Sequence, residues 1–235
     1  MYALAAFKSF WHFFKSIASN ADCKFEEVKK LTPSSFTYIN QCPCWERKPT
    51  PPNEAMLRGT AMDGFLRNYL FHNMESLDGI AHKMLKKKDF VAIEWAGNTI
   101  RHACGKEPIL CKKTDCRFKF TIGDVLISGE MDTYCPSGKL IFDLKSGGIR
   151  DYEMQMLPYA YHGIKSTNSD YMDTRLVFCD FKIMKSKVFS DSEATERMEE
   201  FVAKWNNPDK VPTKCDACKY CKYLEEEKSK CRLML

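Results

Sequence analysis

At 235 residues the chain can bury a sizeable core as one domain, or at most two small ones. Hydrophobic content of 44% and charged content of 29% are ordinary for a soluble globular protein, and a net charge of +5 is too mild to establish a polyanionic partner. No stretch reaches the roughly 20 uninterrupted apolar residues of a helical membrane span, and no stable membrane association is expected.

Residues 4 to 18 place Leu4, Phe7, Phe10, Trp11, Phe14, Ile17 and Ala18 on one helical face, with Lys8, His12 and Lys15 opposite. This predicts a helix over the core, with a membrane-surface or targeting helix as the alternative. The same lysines interrupt any export signal, so the expected compartment is reducing and cytoplasmic. There, twelve cysteines point to metal ligation more than to disulfides.

Residues 32 to 52, "TPSSFTYINQCPCWERKPTPP", read as loop, and a long helical pattern follows from Glu54 to Met74. A mixed segment to Cys116 has no clear period. Its lysine runs, Lys83 to Lys88 and Lys112 to Lys119, read as solvated surface or as a phosphate-tracking path. "RFKFTIGDVLISGEMDTY" and "KLIFDLKSG" read as strands, residues 150 to 164 as a helix, and "TRLVFCDFKI" and "SKVFS" as further strands. "SDSEATERMEEFVAKW" is an amphipathic helix with a Ser or Asp cap, before a cysteine-rich tail. This order predicts an α/β or α+β fold with a small central sheet.

The segment Gly129 to Gly147 carries the chemistry. If Ser137 and Gly138 form a two-residue hairpin loop, Tyr134 pairs with Ile141 and Asp132 stands opposite Asp143. Like charges paired across strands are destabilising, and the apolar flanks place this pair in a core. A divalent ion between the carboxylates resolves the conflict, and oxygen-only ligation favours Mg²⁺ or Mn²⁺. Alternation puts Lys145 on the face of Asp143, where it can orient a water or stabilise charge on a phosphate. Gln155 and Tyr159 share one helical face, the amide set to position lysine or water and the phenol to reach a phosphate.

With these residues in place the chain resembles a family. "GEMD", "FDLKSG" and "QMLPY" are similar to the three signature motifs of RecB-type nucleases in the PD-(D/E)XK superfamily. The resemblance implies a restriction-endonuclease-like α/β fold, a central mixed β-sheet flanked by helices with a C-terminal cysteine-rich metal clasp. It divides the chain into an N-terminal helix and linker (1–30), a nuclease core (31–208) and a cluster-binding tail (209–235). It implies Asp132, Asp143, Lys145, Gln155 and Tyr159 as catalytic, with Asp63 and the Leu144 carbonyl completing the metal site. Gly59 matches the family's upstream motif, but Asp63 stands where the family has a metal-binding histidine.

The resemblance extends to the subgroup containing the CRISPR-associated exonucleases, which hold a [4Fe-4S] cluster on one upstream and three downstream cysteines. It nominates Cys42, Cys218, Cys221 and Cys231, with Cys215 as alternate for Cys231 and Cys44 for Cys42. Zn²⁺ suits the same thiolates. The implied activity is cleavage of single-stranded or resected DNA, exonucleolytic, in repair or spacer acquisition, beside a helicase or integrase partner. A zinc- or cluster-stabilised DNA-binding module without catalysis is the alternative. No P-loop supports a motor within the chain, no G-x-S-x-G elbow supports a serine hydrolase, and the five histidines lack metal-site spacing.

Overall fold

A computed structural model describes residues 29–71 and 84–224. The helix expected over residues 4 to 18, with Cys23, His72 and Cys231, lies outside the described residues. The strands are β1 (Lys30–Leu31), β2 (Arg117–Ile122), β3 (Val125–Glu130), β4 (Thr133–Cys135), β5 (Leu140–Lys145), β6 (Tyr171–Phe178) and β7 (Ile183–Ser190). The helices are α1 (Pro33–Gln41), α2 (Glu54–Phe71), α3 (Lys87–Cys104), α4 (Lys113–Cys116), α5 (Glu153–Thr167) and α6 (Asp191–Asn206).

The expected single sheet is two mixed sheets, ordered β1-β3-β2 and β4-β5-β6-β7. In the larger one β5 runs antiparallel to β4 and parallel to β6, and β6 runs antiparallel to β7. Helix α5 connects the parallel pair β5 and β6, as parallel neighbours require.

Alternation along β5 assigns its two faces. Leu140 and Phe142 pack with Met62 and Leu66 of α2 and with Ile93 and Ile100 of α3. Ile141 packs with Met156, Leu157 and Ile164 of α5 and with Met198 and Phe201 of α6. Strand β5 is therefore buried on both sides. Asp143, two residues beyond Ile141, faces α5.

Several expectations change. The segment 32 to 52 is not all loop, because α1 starts at its first proline. Pro33 at the first helical turn lacks only an N–H that would be orphaned anyway, while Phe36 and Ile39 bury one face. The segment without a clear period contains α3, whose buried Ala92, Ile93, Ala96, Ile100 and Cys104 recur at helical spacing behind the lysines. The run "TRLVFCDFKI" breaks at a 3₁₀ turn over Cys179–Phe181, closed by Lys182 at φ +52°. The cap expected before α6 is Ser190, which accepts the Glu193 N–H at 3.1 Å.

Candidate active site

The β4–β5 register pairs Tyr134 with Ile141 and Thr133 with Phe142, so the expected pairing holds. The turn differs in detail: Lys139 N donates to Pro136 O at 3.0 Å, and Lys139, not Gly138, takes the positive φ. The segment is also interrupted, since Met131 and Asp132 leave the ladder between β3 and β4. Asp132 consequently sits one position beyond the last rung. Its Oδ2 accepts the Leu144 N–H at 2.6 Å. The carboxylate of Asp132 thus takes the place of a neighbouring strand along the open edge of β5.

Asp143 and Lys145 point together towards α5. Lys145 Nζ stands 2.5 Å from Asp143 Oδ2, and their side chains are only 15% and 5% exposed. Gln155 joins them, donating from Nε2 to Asp143 Oδ1 at 3.0 Å and accepting at Oε1 from Lys145 Nζ at 3.1 Å. Asp143 Oδ2 is fully buried, with the Lys145 ammonium as its ion-pair partner. Its remaining lone pair has the chemistry of a hard-cation ligand.

Tyr159 departs from expectation. It is buried, and its hydroxyl donates to the Glu130 carbonyl at 3.2 Å, so the phenol is held beside the acidic set and is not exposed to solvent. Burial, then the Asp143 and Asp132 charges, push its ionisation well above the ordinary tyrosine range.

Asp63 is likewise redirected. Both its oxygens accept from Arg67 Nε one helical turn on, at 3.1 and 2.9 Å. Arg67 was not foreseen, yet it ties the acidic region together. It pairs with Glu130 at 3.2 Å, approaches Asp132 at 3.7 Å, and donates to the carbonyls of Cys111 at 2.7 Å and Met131 at 3.3 Å. The signal was the i, i+4 Asp–Arg spacing. Upstream, Gly59 allows close approach of the loop after Lys145, because a Cβ there would lie 3.0 Å from Ser146 Oγ. Arg58 holds the same loop by donating to Ser146 O at 2.8 Å, while it bonds Asp89 and Asp180.

The charge balance is uneven. Glu130 also meets the exposed Arg117 at 3.2 Å. Setting that pair aside, among the described residues Asp63, Asp132 and Asp143 face Arg67 and Lys145, and Lys113 also acts on Asp63. Burial, then the charges of Asp143 and Asp63, raises the Asp132 carboxyl well above the usual range, against the lowering effect of the Leu144 N–H. Burial would depress the Lys145 ammonium, but Asp143 outweighs it and raises the pKa. Lys145 is therefore a held cation, not a free base. Among the described residues no three His, Cys, Asp or Glu side chains form a ready-made metal group, and Asp63 is turned to Arg67.

The cysteines converge from both ends of the described chain. The tail is pinned to residues 45–48: Trp45 Nε1 donates to Ala217 O at 3.1 Å, Lys48 N to Tyr220 O at 3.1 Å and Lys222 N to Glu46 O at 3.0 Å. Lys222 and Tyr223 also contact the Glu46 carboxylate. Cys42 Sγ accepts the Thr213 N–H at 3.4 Å, and Cys218 Sγ accepts the Cys215 N–H at 3.4 Å. Burial, with the neighbouring Cys218 and Cys42 thiols, raises the Cys215 thiol. Cys215, the alternate, thus joins Cys42 and Cys218. Cys221 bridges Arg47, and Cys44 Sγ donates to Lys210 O at 3.5 Å. The N–H donors to the Cys42 and Cys218 sulfurs resemble those of metal thiolates, but among the described residues no three of these cysteines form a metal-holding group.

No protein-family model matches the chain, and no curated protein matches it. Among solved structures, the crystal structure of SSO0001 aligns over 92% of this chain and 94% of its own, with 12% identity and a TM-score of 0.36. The chain itself is a mixed α/β protein with two mixed sheets flanked by helices. No described helix is long and apolar enough to cross a membrane.

Proposed function

We propose that the chain is a Mg²⁺- or Mn²⁺-dependent deoxyribonuclease of the RecB-like PD-(D/E)XK type, with a restriction-endonuclease-like core. The observation that carries this reading is the grouping of Asp132 and Lys145, both partly buried, with the buried Asp143 and Gln155, a set with more carboxylate than cation. Asp132 and Asp143 would hold the ion, with the Leu144 carbonyl at the same open strand edge. Asp63 would join only on leaving Arg67. The ion would supply positive charge to the phosphodiester and lower the pKa of an attacking water.

The chain's own groups do the rest. Lys145, kept protonated, donates to the attacking water or to a phosphate oxygen and stabilises the charge that develops there. Gln155 fixes the lysine and holds Asp143 in one rotamer. Tyr159 braces the site from within through Glu130. Cys42, Cys215 and Cys218, with Cys221 or Cys231, would ligate a [4Fe-4S] cluster or Zn²⁺ that fastens the tail to the core. The substrate would be single-stranded DNA or resected ends, delivered by a helicase or integrase partner.

A second reading has one specific support. Arg67 already supplies an internal cation to Asp63, Glu130 and Asp132, as expected of a DNA-binding module that has lost cleavage. Asp143→Asn and Lys145→Ala, assayed on labelled single-stranded DNA with Mn²⁺, decide between them. The nuclease reading requires cleavage by the parent and a loss on the order of 10²–10⁴-fold in folded variants. Undiminished cleavage would refute it, and DNA binding by an inert parent would favour the module.

A further inference from the structure

A cavity of about 420 Å³ opens beside the acidic set, between residues 149–153, the start of α5 and the β6–β7 hairpin. Its size falls in the range of small-ligand sites, roughly 300–1,000 Å³. Sheet register connects it to the site. Asp143 pairs with Leu176 and Leu176 with Lys185, so the three form one rung on the same face. At about 4.8 Å per strand, Lys185 stands roughly 10 Å from Asp143 across the sheet. Tyr152 spans the boundary, since Lys145 Nζ lies 4.4 Å from its ring centroid and the residue also lines the cavity.

The lining charges are not equivalent. Glu153 is paired with Arg197 at 2.6 Å, Asp151 caps the Glu153 N–H at 2.9 Å, and Lys187 meets Glu193 at 3.2 Å. Arg150 and Lys185 are exposed and have no carboxylate partner among the described residues. Two cations without carboxylate partners among the described residues, one of them (Lys185) resting over the Phe178 ring at 5.8 Å, and an aromatic ring around a nucleotide-sized space match the stacking-and-phosphate pattern of single-strand recognition. Building on the nuclease reading, we propose that this cavity is a subsite for one unpaired nucleotide of a DNA strand, adjoining the linkage to be cut. Lys185 and Arg150 take its phosphate, and Tyr152 with Ile149 takes its base. A base inside the cavity cannot remain stacked in a duplex, so the subsite selects single strands.

Anisotropy titrations of the full chain with labelled oligothymidylate and with a duplex test this. Lys185→Glu and Tyr152→Leu should each raise the single-strand Kd about tenfold, with duplex affinity and the control Lys204→Glu unchanged. Single-strand affinities within twofold of the parent in both variants overturn the subsite. Displacement of the strand by micromolar thymidine monophosphate also overturns it, in favour of a free-nucleotide site. If the variants lose strand affinity but the parent cleaves nothing, the subsite stands and the nuclease reading fails. If the parent cleaves and the variants bind as the parent does, the subsite alone fails.

Discussion

Gln155 bridges Asp143 and Lys145, donating to the carboxylate at 3.0 Å and accepting from the ammonium at 3.1 Å. An amide offers a donor and an acceptor at that separation at any pH, whereas a carboxyl does so only when protonated. Gln155→Leu removes both, while Gln155→Glu keeps the acceptor and adds a carboxylate beside a buried one. Both should lower cleavage about 10–100-fold. The Gln155→Glu defect should shrink as pH falls and the new carboxyl is protonated. Parallel pH–rate profiles for the two variants would remove Gln155 from a positioning role.

Arg67 holds Asp63, Glu130 and two main-chain carbonyls from a nearly buried position. Arg67→Met keeps much of the volume but leaves Asp63 without its partner in a desolvated place. Breaking a buried pair from one side costs about 3–5 kcal/mol. Arg67→Lys should recover little, because a point charge cannot reproduce the guanidinium's several donors. Urea unfolding of the variants measures the cost directly. A loss below about 1 kcal/mol for Arg67→Met would mean that Asp63 is solvated.

Asp132 titrates higher in the folded chain than in the unfolded one, because burial and then Asp143 and Asp63 disfavour its charge. Protons therefore favour the folded state at this group. Its contribution is intact below the unfolded carboxyl's range, near pH 4, and declines as pH rises through the raised folded value. In metal chelator, Asp132→Asn should thus stabilise the protein at pH 8 and have little effect at pH 4. Mn²⁺ should raise the Tm of the parent at pH 8 but not that of the variant. Thermal melts at the two pH values, with and without Mn²⁺, check both halves.

The hairpin register was legible because a short loop and strict alternation leave few alternatives, and Tyr134 meets Ile141 as the pattern requires. The Asp143, Lys145 and Gln155 grouping followed from the same local periods. Three features were not legible. The break at Met131 and Asp132 depends on β3 and β4 joining different sheets, which a continuous apolar run does not signal. Helix α3 hid because its small core residues, Ala92 and Ala96, give a weak apolar contrast behind three lysines. The rung from Asp143 to Lys185 joins positions more than 40 apart in the chain, and only tertiary pairing sets it. Tyr159 shows the opposite error. Its helical face was read correctly, but that face is packed against Phe118 and not open to a substrate.

The cysteines of the tail make the last prediction. Cys42 approaches Cys215 and Cys218 although they are separated by most of the chain, and the main-chain bonds from residues 46–48 to 220–222 keep them there. The buried Trp45–Ala217 bond and the main-chain bonds hold the tail, and a metal–thiolate clasp would add to them. Anaerobically purified protein should then be brown and contain iron. Cys42→Ser and Cys218→Ser should each remove the iron, lower Tm by roughly 5 °C or more, and open the chain after Asn206 to protease. Cys104→Ser, at a buried thiol in the other core cluster, should retain the iron. Colourless protein with stoichiometric zinc would replace the cluster by zinc and leave the clasp standing. Metal-free protein whose tail resists protease equally in all variants would show that the thiols only pack, with Trp45 and Ala217 fastening the tail by themselves.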